Sequence, residues 1–199
     1  MRQGFTLKEA SVACYWFTGL SGAGKTSVAT WVKERLDVAA IRCVILDGDS
    51  LRKTLNSDLG FDRASRRENA RRIAEVAKIF LDSGSVVLVS TIAPYTQDRE
   101  DARNRFGRDE FFEVYVTTPF GVCKERDQKG LYAGLSRVAQ PNFTGHDAPY
   151  EPPVSPDFRI ETEGCAVSAS GAELLEHIVS RFCGGPGQRS AATAVAEHA

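Results

Sequence analysis

Apolar residues along this chain gather in two patterns that alternate. The first is the short unbroken run: Cys14-Tyr15-Trp16-Phe17-Thr18, stopping at Gly19; Cys43-Val44-Ile45-Leu46, stopping at Asp47-Gly48-Asp49; and Val86-Val87-Leu88-Val89. Runs this short, closed by glycine or aspartate, predict strands buried on both faces. Weaker strand-like runs follow from Phe111 to Val116 and from Phe158 to Glu161. The second pattern has helical spacing. Val28, Trp31, Val32 and Leu36 recur along Thr26 to Leu36, and Ile73, Val76, Ala77, Phe80 and Leu81 lie on one face of a long helix. A last helix is expected over Ala172 to Phe182. Strands alternating with helices predict an α/β sandwich of three layers, with a mainly parallel sheet between helices.

Two segments break the alternation. Gly130 to Pro156 holds Pro141, Pro149, Pro152, Pro153 and Pro156 with several glycines, too long and irregular for a plain connection, and is expected to be a lid or binding loop. Gly184 to Ala199 is rich in small residues without bulky apolar periodicity and is expected to be a disordered tail. A chain of 199 residues, 42% hydrophobic, can bury one substantial core, so residues 1–183 are read as one domain.

Charge narrows the partners. Lys and Arg number 25 against 26 Asp and Glu, and a net charge of −1 gives no global field for nucleic acid or an anionic membrane. Anions must be bound locally. No run approaches the roughly 20 apolar residues that span a bilayer, and Met1 to Ala13 lacks the layout of a signal peptide, so a cytoplasmic location is expected. The five cysteines, Cys14, Cys43, Cys123, Cys165 and Cys183, are spread without a C-x-x-C pair. Mostly buried thiols are expected, with neither disulfide framework nor zinc site. His146, His177 and His198 show no ligand spacing.

The chemistry begins where the first strand ends. Gly19-Leu20-Ser21-Gly22-Ala23-Gly24-Lys25-Thr26 has the spacing G-x-x-x-x-G-K-[ST] between a strand and a helix. Its glycines let backbone N–H groups curl round a phosphate, Lys25 reaches the β and γ phosphates, and the Thr26 hydroxyl can ligate Mg2+. The fold is therefore of the P-loop NTPase type. Neither the guanine-reading Asn-Lys-x-Asp tetrapeptide nor the transporter signature Leu-Ser-Gly-Gly-Gln occurs, which leaves a small-molecule kinase using ATP as the leading class.

Asp47 and Asp49 follow the second strand at the carboxyl edge of the sheet, where ligands bind in open α/β folds. One can hold Mg2+ through water while the other orients or deprotonates a hydroxyl, and either can instead cap a helix starting near Ser50. Arg63, Arg66, Arg67, Arg71 and Arg72 crowd the start of the long helix. Continuing the stripe of Phe80, Val76 and Ile73 backwards passes through Asn69 and Arg66, which should point into the cleft, whereas Arg67 and Arg71 fall off it. With Arg52, such an Arg suits an anionic acceptor.

Taken together these residues resemble the adenylylsulfate kinases of sulfate assimilation. The likeness runs from Trp16 to about Asp157: the P-loop; Leu46-Asp47-Gly48-Asp49 with Leu51-Arg52; Leu55-Asn56-Ser57-Asp58-Leu59-Gly60-Phe61; Arg66, Glu68-Asn69 and Arg71-Arg72; Arg126-Asp127-Gln128-Lys129-Gly130-Leu131-Tyr132; Phe143-Thr144-Gly145; and Ala148-Pro149-Tyr150-Glu151-Pro152-Pro153. The resemblance implies transfer of the ATP γ-phosphoryl group to the ribose 3′-hydroxyl of adenosine 5′-phosphosulfate (APS), with Mg2+. It implies Lys25, Asp47 and Asp49 as catalytic residues, with Arg126 joining the P-loop at ATP. It places Arg52, Phe61, Arg66, Asn69, Ile92, Ala93, Lys129, Leu131 and Phe143 around the acceptor. Phe61 and Phe143 could sandwich adenine, with Arg52 and Arg66 on the phosphosulfate. It further suggests a homodimer and a functional link to ATP sulfurylase. One departure matters: family members often read Phe-Ile-Ser-Pro, with a serine assigned as a phosphorylated intermediate, where this chain has Thr91-Ile92-Ala93-Pro94. Without that hydroxyl, direct in-line transfer is expected.

Overall fold

A computed structural model of the chain describes residues 12–126, 144 and 148–182. Five strands, β1 (Cys14–Thr18), β2 (Cys43–Asp47), β3 (Val86–Ser90), β4 (Phe111–Thr117) and β5 (Phe158–Glu161), form one sheet in the order β2-β3-β1-β4-β5. All four pairings are parallel. The strands expected from the apolar runs are all present.

Alternate residues of β1 feed two cores, which is why its sequence reads as continuously apolar. Tyr15 and Phe17 pack with Val28, Val32 and Leu36 of helix α1 (Lys25–Val38) and with Leu174 and Ile178 of the last helix, here α6 (Val167–Ser180). Cys14 and Trp16 pack on the other face with Ala70, Ile73, Ala74, Ala77 and Leu81 of α3 (Arg63–Asp82) and Ala102 of α4 (Thr96–Arg103). The result is the expected three-layer sandwich. Burying a side chain such as Phe17 contributes roughly 1.5–3 kcal/mol. Short helices α2 (Gly48–Arg52) and α5 (Phe120–Arg126) complete the described elements.

Some boundaries move. The final helix begins at Val167 rather than Ala172, because its first turn is held by packing: a Cβ on Gly171 would lie 2.7 Å from the Trp31 ring of α1. On α3 the buried stripe is Arg66, Asn69, Ala70, Ile73, Ala74, Ala77 and Leu81, with Val76 and Phe80 half-buried at its flank. Arg67 and Arg71 are exposed, as their spacing predicted.

Cys14, Cys43 and Cys123 are buried free thiols, and burial raises the pKa of all three. Cys165 is exposed, so three of the four described cysteines are buried, in line with the expectation of mostly buried thiols. His177 is a packing residue among Tyr15, Phe112 and Phe158. No described helix is long and apolar enough to cross a membrane. Cys183, His146, His198, the 184–199 tail and most of the 130–156 segment lie outside the described residues.

Candidate active site

The strand order sets the place of the site. After β1 the chain turns to the α1 face and after β3 to the α4 face, so a crevice opens between these neighbouring strands at their carboxyl ends. A cavity of about 900 Å³ occupies it, bounded by the P-loop, the Thr91–Pro94 turn, α2 and the start of α3. Five cationic side chains, Lys25, Arg52, Lys53, Arg66 and Arg126, face three carboxylates, Asp47, Asp49 and Asp62. A chain of nearly zero net charge thus has a local positive excess where anions are expected.

The glycines shape the P-loop. Gly22 and Gly24 lie at φ 78° and 98°, in the left-handed region, and a Cβ on Gly22 would come 2.7 Å from the Cys123 carbonyl oxygen. Ser21, Gly22, Gly24, Lys25 and Thr26 line the cavity, while Gly19, Leu20 and Ala23 form the loop's inner side. Gly19 packs on Val116, Leu20 lies against the core, and the Ala23 carbonyl accepts from Thr118 and Thr162 hydroxyls at 2.9 Å each. The Lys25 ammonium is nearly buried and donates to the Gly19 and Leu20 carbonyls at 2.8 and 2.7 Å. Helix α1 starts at Lys25, so its positive end points at the same place.

Thr26 ties the loop to the neighbouring strand ends. Its hydroxyl is 3.0 Å from Asp47 Oδ2 and 3.0 Å from Ser90 Oγ. Asp47 and Ser90 are register partners on β2 and β3, which brings these oxygens together. The other Asp47 oxygen accepts the Ser50 backbone N–H at 2.9 Å and caps α2. Asp47 thus caps α2 with one oxygen, as one reading of its sequence expected, and meets Thr26 with the other. Thr26, Asp47 and Ser90 form a hard-oxygen set with one carboxylate, which suits Mg2+ completed by phosphate and water. Among the described residues no group of His, Cys, Asp and Glu forms a cage for another metal.

On the other wall stand the residues expected around an acceptor. Phe61 keeps 54% of its surface exposed inside the cavity mouth, an unusual state for a large apolar ring. Arg52 lies 4.4 Å from the ring centroid and donates to the Gly60 carbonyl at 2.8 Å, holding the loop that carries Phe61. Burial lowers the Arg52 pKa, and the nearby Asp49 carboxylate opposes this. Arg66 Nε donates to the Phe61 carbonyl at 2.8 Å, and Asn69 Oδ1 accepts from buried Asn56 at 3.0 Å. Arg66, Asn69, Ile92 and Ala93 all line the cavity. Lys129, Leu131 and Phe143 lie outside the described residues.

Arg126 lines the cavity beside Thr162, which bonds the P-loop. Its guanidinium donates to the Thr162 hydroxyl and carbonyl at 2.9 and 2.7 Å. Sequence reasoning did not single out Thr118 and Thr162, which bond the P-loop carbonyl of Ala23, or Ser90, Cys165, Val167 and Ser170, which line the cavity. None stands in a recognisable motif. The model of the adenylylsulphate kinase family matches residues 11–161. This chain belongs to that family.

Family members align over most of its length. The probable adenylyl-sulfate kinase of Bacillus subtilis (strain 168) is 49% identical over 160 residues, 80% of each chain. The adenylyl-sulfate kinase of Geotalea uraniireducens (strain Rf4) is 46% identical over 170 residues, 85% of this chain and 82% of its own. In three dimensions the chain is similar to the Mycobacterium tuberculosis APS kinase CysC in complex with AMPPNP and APS. The TM-score is 0.79 at 40% identity, covering 85% of this chain and 98% of that one. The two-walled cavity and the adenylylsulphate kinase family thus point to one chemistry.

Proposed function

We propose that the protein transfers the γ-phosphoryl group of ATP to the ribose 3′-hydroxyl of adenosine 5′-phosphosulfate, giving 3′-phosphoadenosine 5′-phosphosulfate and ADP. One observation carries the reading: a phosphate-binding loop and an exposed aromatic ring flanked by two guanidiniums share one cavity. ATP lies with its phosphates on the P-loop and its base towards Thr162, Cys165 and Val167. The acceptor adenine stacks on Phe61, with Arg52 and Arg66 towards its phosphosulfate.

Phosphoryl transfer leaves the protein mainly positioning and charge stabilisation. Lys25 exchanges the Gly19 and Leu20 carbonyls for phosphate oxygens. Asp49 accepts the proton of the attacking hydroxyl. Thr26 and Asp47 would hold Mg2+, which would supply charge neutralisation for the transferred phosphate. Ala93 has no hydroxyl at the position of the family's serine, so the group passes directly between nucleotides.

The test is a coupled ADP-release assay with APS, with other nucleotides and with no acceptor. Acceleration by APS alone is expected, with no labelled protein after incubation with γ-labelled ATP. A different preferred acceptor, or an obligatory phosphoprotein, would overturn the corresponding half of the reading. Arg66→Ala should raise KM for APS about tenfold or more, the scale of a lost charged hydrogen bond, while KM for ATP stays within about twofold. An equal loss for both nucleotides would remove Arg66 from the acceptor site.

A further inference from the structure

Helix α4 is almost entirely polar, yet one of its arginines is among the most buried polar residues described: Arg99 is only 3% exposed. Its guanidinium makes four hydrogen bonds, three of them to residues outside α4. Nε donates to Glu113 Oε1 on β4 at 2.6 Å, Nη1 to the Ala93 carbonyl at 2.8 Å, and Nη2 to the Glu151 carbonyl at 2.9 Å and Thr96 Oγ1 at 3.3 Å. A planar fork with fixed donor directions holds such groups in one mutual geometry, which a lysine cannot do.

The turn it holds is strained. Ala93 lies at φ 40°, a region that non-glycine residues seldom enter, and strain of this kind persists only where surrounding contacts over-determine it. Those contacts are present. The Ile92 carbonyl accepts from the Thr18 hydroxyl at 2.7 Å and the Gly19 N–H at 3.4 Å, and the Pro94 carbonyl accepts from the Glu151 N–H at 2.8 Å. Tyr150 reaches Thr18 at 3.0 Å, and the Glu151 carboxylate takes the Thr96 N–H at 2.7 Å. Thr91, Ile92, Ala93 and Pro94 all line the cavity.

We propose that Arg99 is a positioning residue for the acceptor nucleotide: by fastening the Ala93 carbonyl to the Tyr150–Glu151 segment it keeps the strained Ile92–Ala93 turn preformed as a wall of the acceptor site. The inference rests on the acceptor assignment given above. A wall that must be ordered at each binding event weakens the acceptor, because part of the binding free energy goes into ordering it. ATP binding, carried by the P-loop, is affected far less.

Arg99→Lys keeps the positive charge opposite Glu113 but loses the fork. Glu113→Gln weakens the ion pair and leaves the fork's bonds to Ala93 and Glu151 in place, so it serves as the structural control. Both should lower the melting temperature. Only Arg99→Lys should raise KM for APS, by about tenfold, with kcat at saturation and KM for ATP within about twofold of the parent. Equal effects of the two variants on KM for APS, or an equal rise for ATP, would overturn the proposal. Tyr150→Phe loses a single hydroxyl and provides a decision even if Arg99→Lys does not fold. It should raise KM for APS about threefold, and an unchanged value would count against the brace. Should the unaltered enzyme prefer another acceptor, the reading of its substrate fails, while the same KM split measured with that acceptor still decides the role of Arg99.

Discussion

Asp49→Asn is expected to lower kcat by about two to four orders of magnitude, the range for removing a general base, while ATP binds as before. Asp49 occupies the first turn of α2, lines the cavity and acts electrostatically on Arg52. The amide has nearly the same shape but cannot take up the proton of the attacking hydroxyl. Structural loss should be slight, because the α2 cap belongs to Asp47 and an acidic residue at a helix start is worth only about 0.3–1 kcal/mol. Steady-state turnover and calorimetric titration with a non-hydrolysable ATP analogue separate the two quantities. A kcat within about fivefold of the parent would end the assignment of Asp49 as base.

Lys25→Met should fail differently, losing ATP affinity and turnover together, with kcat/KM down by about a thousandfold. The figure follows the scale for removing a group aimed at developing charge. In the structure the ammonium rests on two carbonyls of its own loop, which phosphate oxygens would replace. Methionine is of similar length and apolar, so it fills the space without the charge. The Leu20 carbonyl keeps the Ala23 N–H at 3.2 Å, whereas losing the donor to the Gly19 carbonyl costs roughly 1–3 kcal/mol, which a melting curve would register independently. Unchanged affinity for the ATP analogue would place Lys25 outside the phosphate site.

The sheet was legible because β1 and β3 are buried on both faces and read as unbroken apolar runs, as does β2 although Val44 and Ile45 at the sheet edge are only half-buried. The cleft face of α3 was legible too: Arg66 and Asn69 stand on the helical spacing of the core residues, and both are buried there. Helix α4 left no such trace, since its buried face consists of Asp98, Arg99 and Ala102, two of them charged. Arg99 is held by Glu113 and by carbonyls from outside the helix, and Asp98 pairs through one oxygen with Arg63, which no periodicity can announce. The start of α6 was missed for a related reason, as Ser168 and Ser170 dilute the pattern and the packing partner of Gly171 lies on α1. In the site, the P-loop and the Asp47–Asp49 pair were visible as local motifs, whereas Phe61 and Arg126 came through family resemblance. Thr118 and Thr162 were invisible, because their hydroxyls meet the P-loop across 95 and 139 residues of chain.

The divided carboxylate of Asp47 has a thermodynamic consequence. One oxygen holds the foot of α2, which carries Asp49 and Arg52, and the other holds Thr26 at the head of α1. Occupants of the two half-sites therefore pull on one rigid group. Any advantage that bound ATP confers on the acceptor through it must be returned by the acceptor to ATP by the same factor, since coupling free energies between binding sites are reciprocal.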